Sequence, residues 1–240
     1  MKSYDYHGWK VSAKDVMYHR LLKENKNITL QDIDPMNKII KEHIPFQRTA
    51  LDIGCHYGFF TKFLASKFDH VHAFDFNNDI HHFFKKNMKK FKIKNLTIHP
   101  YGIGNNNMNV AINDFFYRKK WSGYGPLGTH IDPEGKDKKY TIKTLDSLNI
   151  KDVDLIMIDT EGYELPVLKG GIKTISKYKP VLVVEFHLLP KIGRPILTKK
   201  FGYRLSELDI FIRNLGYNFI CNINKVDRVY APVCINNLQY

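Results

Sequence analysis

The run Val153–Ile158 constrains this chain more than any other feature. A short, nearly continuous apolar segment is too brief for a buried helix and too uniform for a strand with one wet face. It reads as a central strand covered on both sides, which requires a mostly parallel sheet between layers of helix. The rest of the chain fits that frame. Thr49–Ile53, His70–Phe74, Leu96–His99 and Val181–Phe186 read as further strands. Between them, Phe59–Phe68, Asn78–Phe91 and Glu164–Lys177 carry helical periodicity, with Phe83, Phe84, Met88 and Phe91 on one face of the second. Leu205–Leu215 reads as a helix with Ser206 at its N-cap and Gly216 as its stop, and Tyr217–Asn222 with Val229–Val233 as a closing hairpin. The expected architecture is α/β: a mostly parallel seven-stranded sheet, helices on both faces, and a C-terminal antiparallel hairpin.

Composition narrows the classes of function. At 240 residues and 43% hydrophobic content the chain is most simply one domain. It holds no stretch near the roughly 20 apolar residues of a membrane span, and its first residues lack a signal-peptide core, so a cytoplasmic protein without a membrane span is expected. Cys55, Cys221 and Cys234 have neither CxxC spacing nor histidine partners at zinc-like spacing, and read as reduced thiols. The net charge of +13 raises the question of a nucleic-acid partner. Yet 30 of the 37 basic residues are Lys, Arg being the better reader of phosphates and bases, and the Lys runs at 85–90 and 136–139 are interrupted by Asn or Asp. They read as solvated faces, with an anionic partner as the alternative.

The chemistry starts at Leu51-Asp52-Ile53-Gly54-Cys55-His56-Tyr57-Gly58. A strand that ends in glycine and opens a helix after a second glycine brings backbone close to a ligand. The spacing is D-x-G-x-x-x-G, so the middle glycine that lets dinucleotide enzymes approach a pyrophosphate is absent. Asp52 offers a carboxylate for the ammonium of an amino-acid ligand, which S-adenosylmethionine carries where NAD carries phosphates. Gly54, Cys55, His56 and Gly58 then form the cofactor loop. Asp75 follows the second strand about 20 residues after the glycines, where an acid can accept from both ribose hydroxyls. Phe76 is placed to line an adenine pocket, and Tyr101 and Gly102, after the third strand, fall where adenine would next be touched.

A second block is more specific: Asp154-Leu155-Ile156-Met157-Ile158-Asp159-Thr160-Glu161-Gly162-Tyr163-Glu164, followed by Val167-Leu168-Lys169-Gly170-Gly171. With D-x-G-x-x-x-G-x-x-[ST] from Asp52 to Thr61, Lys179-Pro180, and Val183-Val184-Glu185-Phe186-His187, it resembles the FkbM family of S-adenosylmethionine-dependent methyltransferases from about Ala50 to His187. Met157 stands where the family usually has Lys, and Asp75 where it usually has Glu. The resemblance implies a Rossmann-like class I methyltransferase fold, S-adenosylmethionine as cofactor, and O-methylation, commonly of a sugar hydroxyl in a glycan, glycolipid or small metabolite. On that basis residues 1–45 are a helical N-terminal extension able to act as a lid. Residues 46–240 are the methyltransferase domain, with an insertion at about 105–140 whose length and Gly, Pro and Asn content suit a functional loop.

Methyl transfer to an alcohol needs alignment and a route for the proton. Asp159, Glu161, Glu185 and His187 all fall at the carboxyl ends of strands, where a doubly wound sheet places its reacting centre. His187 is the candidate base, because imidazole titrates near neutrality. Asp159 is the runner-up, serving also as a cofactor contact, and Glu161 is a third catalytic candidate. The pattern requires no metal; were Mg²⁺ bound, Asp159, Glu161 and Glu185 would hold it. Other readings are a nucleic-acid methyltransferase, which would lack the D/N/S-P-P-Y motif of base amino-methylation, and an S-adenosylmethionine-binding protein without turnover. Tyr4, Tyr6, His7 and Trp9, and the segment Trp121-Ser122-Gly123-Tyr124-Gly125, are aromatic enough to stack on an acceptor or simply to pack. His130 is a reserve base in the insertion. Nothing in the sequence sets an oligomeric state.

Overall fold

A computed structural model of the chain describes residues 1–13, 15–26, 33–113, 130–132, 135–186, 201–224 and 226–233. The chain opens with a hairpin, β1 (Ser3–Tyr6) and β2 (Trp9–Ser12), turned at His7 and Gly8, both at positive φ (47° and 90°). The expected helical extension therefore begins as strand. Its buried residues, Tyr6, Trp9 and Val11, lie on one face of a two-residue turn whose handedness matches the strand twist. Helices α1 (Val16–Lys23) and α2 (Ile33–His43) follow. Asp15 caps α1, its Oδ1 accepting the Tyr18 amide at 3.3 Å.

From there strands and helices alternate. β3 (Thr49–Ile53) leads to α3 (Phe59–Ala65), β4 (His70–Phe74) to α4 (Asn78–Lys90), then β5 (Leu96–His99). Asn77 caps α4, its side chain accepting from Asp79 and Ile80 at 3.0 and 3.4 Å. The insertion is not simply a loop. β6 (Gly102–Ile103), β7 (Met108–Asn113), β8 (His130–Asp132) and β9 (Tyr140–Lys143) make a second, four-stranded sheet. β10 (Val153–Ile158), α5 (Glu164–Lys169), α6 (Ile172–Tyr178) and β11 (Val181–Glu185) come next. The chain then runs through α7 (Leu205–Asn214) into the hairpin of β12 (Tyr217–Asn222) and β13 (Asp227–Pro232).

The main sheet has seven strands in the order β12-β13-β11-β10-β3-β4-β5, parallel from β11 to β5 and antiparallel at β13 and β12. Its central strands are buried on both faces, and the period-2 alternation divides their side chains between two cores. Leu51, Ile53, Ile156, Ile158, Leu182 and Val184 enter one. Ala50, Leu155, Met157, Val181 and Val183 enter the other, with α2 and α3. Met157, where a Lys near the substrate was the family's usual choice, is thus a core residue at 3% exposure.

Two helix readings change. The segment expected as one helix at 164–177 is two, because Gly170 backs onto the 104–105 turn so closely that a Cβ there would sit 1.9 Å from the Gly104 carbonyl oxygen. Ser206 is not the cap of α7. Arg204 occupies that place, its amide donating to Glu207 Oε2 at 3.4 Å.

The N-terminal hairpin is fastened by Asn87 of α4, a fully buried amide. Its Oδ1 accepts the Lys10 amide at 2.7 Å, and its Nδ2 donates to the carbonyls of Lys10 and Tyr57, each at 3.1 Å. Replacing Asn87 with Ala strands these buried groups. Urea unfolding is expected to show a loss of about 2 kcal/mol, with faster amide exchange at Lys10. An unchanged midpoint would show that the hairpin is held by its aromatic packing alone.

Candidate active site

The strand order reverses between β3 and β10, the switch point outside whose carboxyl ends ligands bind in open α/β sheets. The Asp159 amide donates to the Ile53 carbonyl there, at 3.0 Å. Gly54, at φ 93°, lies so close that an added Cβ would stand 1.8 Å from the Asp159 carbonyl oxygen. Only glycine lets the two strand ends meet. The loop that follows is tied down by its own amides. Gly54 and Cys55 donate to the Phe74 carbonyl at 2.9 and 3.1 Å, and Gly58 to Cys55 at 2.8 Å.

Asp52 points toward α3, and the Thr61 hydroxyl donates to its Oδ2. This explains the hydroxyl residue at the end of the D-x-G-x-x-x-G-x-x-[ST] pattern. At 3% exposure Asp52 is nearly sealed, and burial pushes its carboxyl up to about 7, with the charges of Asp159 and Asp75 adding to the effect. Asp75 is partly open. Its Oδ2 accepts the His56 amide at 3.2 Å and its Oδ1 the Asn77 amide at 2.8 Å, so the loop after β3 and the cap of α4 orient it together. Burial raises its carboxyl, against the lowering effect of the Asn77 amide. Cys55 is buried, its thiol pushed up by burial, while His56 is brought down to about 4 by burial and is neutral at physiological pH.

The second rim is the loop Asp159–Tyr163. Asp159 is exposed at its mouth, whereas Glu185, at the end of β11, is 8% exposed. Burial raises the Glu185 carboxyl well above the usual range, the charges of Asp159, Glu161 and Glu164 raise it further, and Asp159 is its hydrogen-bond partner. Glu161 sits at φ 54° in the turn itself. Glu164, the first residue of the helix expected at 164–177, is the organiser of the loop. Fully buried, its Oε1 accepts from the Thr160 amide at 3.2 Å, the Thr160 hydroxyl at 3.1 Å and the Gly162 amide at 2.9 Å. The Tyr203 hydroxyl lies 2.9 Å from its Oε2 and 2.8 Å from the Gly162 carbonyl. Tyr203 was not singled out from sequence, and Thr61 only as the last residue of the glycine-turn pattern. Among the described residues no three His, Cys, Asp or Glu side chains converge to hold a metal, so Asp159, Glu161 and Glu185 form no ligand cage.

On the other side, Phe76 and Gly102 are neighbours: a Cβ at Gly102 would come within 3.0 Å of the Phe76 ring. The Tyr101 side chain is committed elsewhere. Its hydroxyl is 2.8 Å from His99 Nδ1, and Lys143 Nζ lies 4.3 Å from its ring centroid. Tyr6 and Trp9 are packing residues, Trp9 wedged between Phe59 and Phe91 at 4.5 Å each. The basic face of α4 is exposed, and Lys90 donates to the Gly8 carbonyl. His187 and the segment 121–125 lie outside the described residues, as does the side chain of His130.

A family model described as the methyltransferase FkbM domain matches residues 52–219. Among solved structures, the chain is similar to a methyltransferase FkbM from Methylobacillus flagellatus KT, with 17% identity and a TM-score of 0.52 over 77% of this chain and 43% of that one. It therefore spans less than half the length of that relative. A SAM-dependent methyltransferase from Aquifex aeolicus gives 16% identity and a TM-score of 0.50, covering 89% of this chain and 96% of the other. A candidate caffeoyl-CoA O-methyltransferase from Staphylococcus aureus gives 14% and 0.54, covering 92% and 93%. At these identities the likeness is one of fold. No curated protein matches the chain.

Proposed function

The chain belongs to the FkbM family of methyltransferases, and from that membership we propose that it transfers the methyl group of S-adenosylmethionine to a hydroxyl oxygen, the acceptor being a sugar in a glycan, glycolipid or small metabolite. The observation that carries the reading is the acidic rim at the switch point, where Asp75, Asp159 and Glu185 stand at the ends of β4, β10 and β11. Bound there, S-adenosylmethionine supplies an electrophilic methyl on a cationic sulfur. A rim of carboxylates suits its sulfonium and ammonium charges and is the wrong sign for the phosphates of a dinucleotide. Asp75 takes the ribose hydroxyls, Phe76 and Gly102 flank the adenine, and Gly54 lets backbone approach. Asp52 acts from inside, holding α3 to the strand end through Thr61.

Asp159 is the proposed proton acceptor. It is the exposed member of a hydrogen-bonded carboxyl pair whose other member, Glu185, is buried. As the C–O bond forms and the C–S bond breaks, the hydroxyl proton passes to this pair and S-adenosylhomocysteine leaves. Burial and the neighbouring charges hold a proton on Glu185 well above the usual carboxylate range, and once it is lost the pair can take up the proton of the acceptor hydroxyl. His187, two residues beyond Glu185 in the chain, is the alternative acceptor. The test is incubation of the full chain with methyl-labelled S-adenosylmethionine and separate pools of sugars, glycolipids and RNA. Label in a methyl ether, with one S-adenosylhomocysteine per label, is the expected result. Label in the RNA pool or on nitrogen would overturn the acceptor class.

A further inference from the structure

Tyr18, on α1, is 5% exposed and belongs to the aromatic cluster over the glycine loop. Its ring stacks on His56, with centroids 6.0 Å apart and planes 23° apart, and packs against Tyr6, Tyr57 and Phe59 at 5.0, 5.4 and 5.3 Å. The neighbouring Asp15 secures this placement. It accepts the Tyr57 hydroxyl at 3.0 Å and the Tyr18 amide at 3.3 Å, so one side chain both caps α1 and ties it to the loop. The phenol is a different matter. Among the described residues its hydroxyl makes no hydrogen bond, and it is not one of the sealed polar atoms, so it keeps access to open space. Burial holds this phenol in its neutral form, and the charges of Asp15 and, less strongly, Asp159 raise its pKa further. A ring this well buried over the glycine loop, with an unused donor, is not explained by packing. Phenylalanine would pack as well without an unpaired hydroxyl.

Resting on the S-adenosylmethionine reading above, we infer that the Tyr18 hydroxyl is the donor for the carboxylate of the cofactor's amino-acid end, which makes the N-terminal segment a wall of the cofactor pocket. The charges require such a group. A rim of Asp75, Asp159 and Glu185, with Asp52 sealed behind it, suits the two positive charges of S-adenosylmethionine and repels its one carboxylate. The amides of Gly54, Cys55, His56 and Gly58 are already spent, on Phe74, Asp75 and Cys55. A neutral hydroxyl can hold the carboxylate without weakening the field that holds the cations.

The experiment is calorimetric titration of the full chain and of Tyr18→Phe, which keeps the ring and its stacking, with three ligands. S-adenosylmethionine and S-adenosylhomocysteine both carry the carboxylate; 5′-methylthioadenosine keeps the adenosine and lacks the amino-acid end. Loss of a charge-assisted hydrogen bond should weaken the first two by about ten-fold and leave the third unchanged. Unaltered S-adenosylmethionine affinity in Tyr18→Phe, or equal weakening of 5′-methylthioadenosine, overturns the assignment and leaves the cofactor reading standing. Failure of the unmutated chain to bind S-adenosylmethionine at all overturns both.

Discussion

Asp159→Asn is expected to lower turnover by about 10² to 10⁴ fold while weakening S-adenosylmethionine far less, by about ten-fold at most, since it loses the proton acceptor together with one of the charges of the rim. The pH profile carries the sign. A base works when deprotonated, so the rate of the unmutated enzyme should rise with pH as Glu185, the raised member of the pair, loses its proton, and fall away below that point. An isolated carboxylate would give a rate flat from about pH 6 upward. The pair does not, because burial and mutual charge hold Glu185 well above the carboxylate range. A rising profile is thus shared with a histidine base, and substitution must separate them. Glu185→Gln, which removes one of the coupled charges, should move the midpoint to lower pH. His187→Ala should leave the midpoint where it is. Collapse of turnover in His187→Ala with Asp159→Asn still active would transfer the role of base to His187. EDTA should leave the rate unchanged; its loss on chelation and return with Mg²⁺ would recast the carboxylates as metal ligands.

Asp75→Ala is expected to weaken S-adenosylmethionine by roughly ten-fold to a hundred-fold, about 1.5 to 3 kcal/mol, through the loss of paired ribose contacts. The substitution also frees the His56 and Asn77 amides, which Asp75 holds at 3.2 and 2.8 Å. Asp75→Asn therefore serves as the companion, since its amide oxygen still accepts one of them. Thermal unfolding measured beside the titration shows whether each variant keeps its fold. Full affinity in a folded Asp75→Ala protein would remove Asp75 from the site.

Much of the framework was legible because burial on two faces leaves a plain trace. All seven strands of the main sheet were readable as apolar runs at 49–53, 70–74, 96–99, 153–158, 181–186, 217–222 and 229–233; five keep both ends, β11 ends one residue earlier, and β13 begins two residues and ends one residue earlier. Asp52, Gly54, Asp75 and Asp159 could be named because each sits at a strand end, where position in the chain almost dictates position in space. Glu164, Tyr203 and Tyr18 could not be read in the same way. Glu164 and Tyr203 are 39 residues apart, and Tyr18 meets His56 from outside the core pattern. No local periodicity encodes such contacts.

By itself, then, the sequence determined the layers, the strand ends and the family, since all three follow from local alternation and short spacings. Only the tertiary structure decided how the acids are used. It sealed Asp52 against Thr61, committed Glu164 to the loop of Thr160 and Gly162, joined Asp159 to Glu185, and folded the N-terminal hairpin and α1 over the glycines. The physical reason is that a carboxyl's role depends on its solvation and on the charges and donors around it. Those are supplied by segments distant in the chain, and they exist only once the sheet has brought its strand ends together.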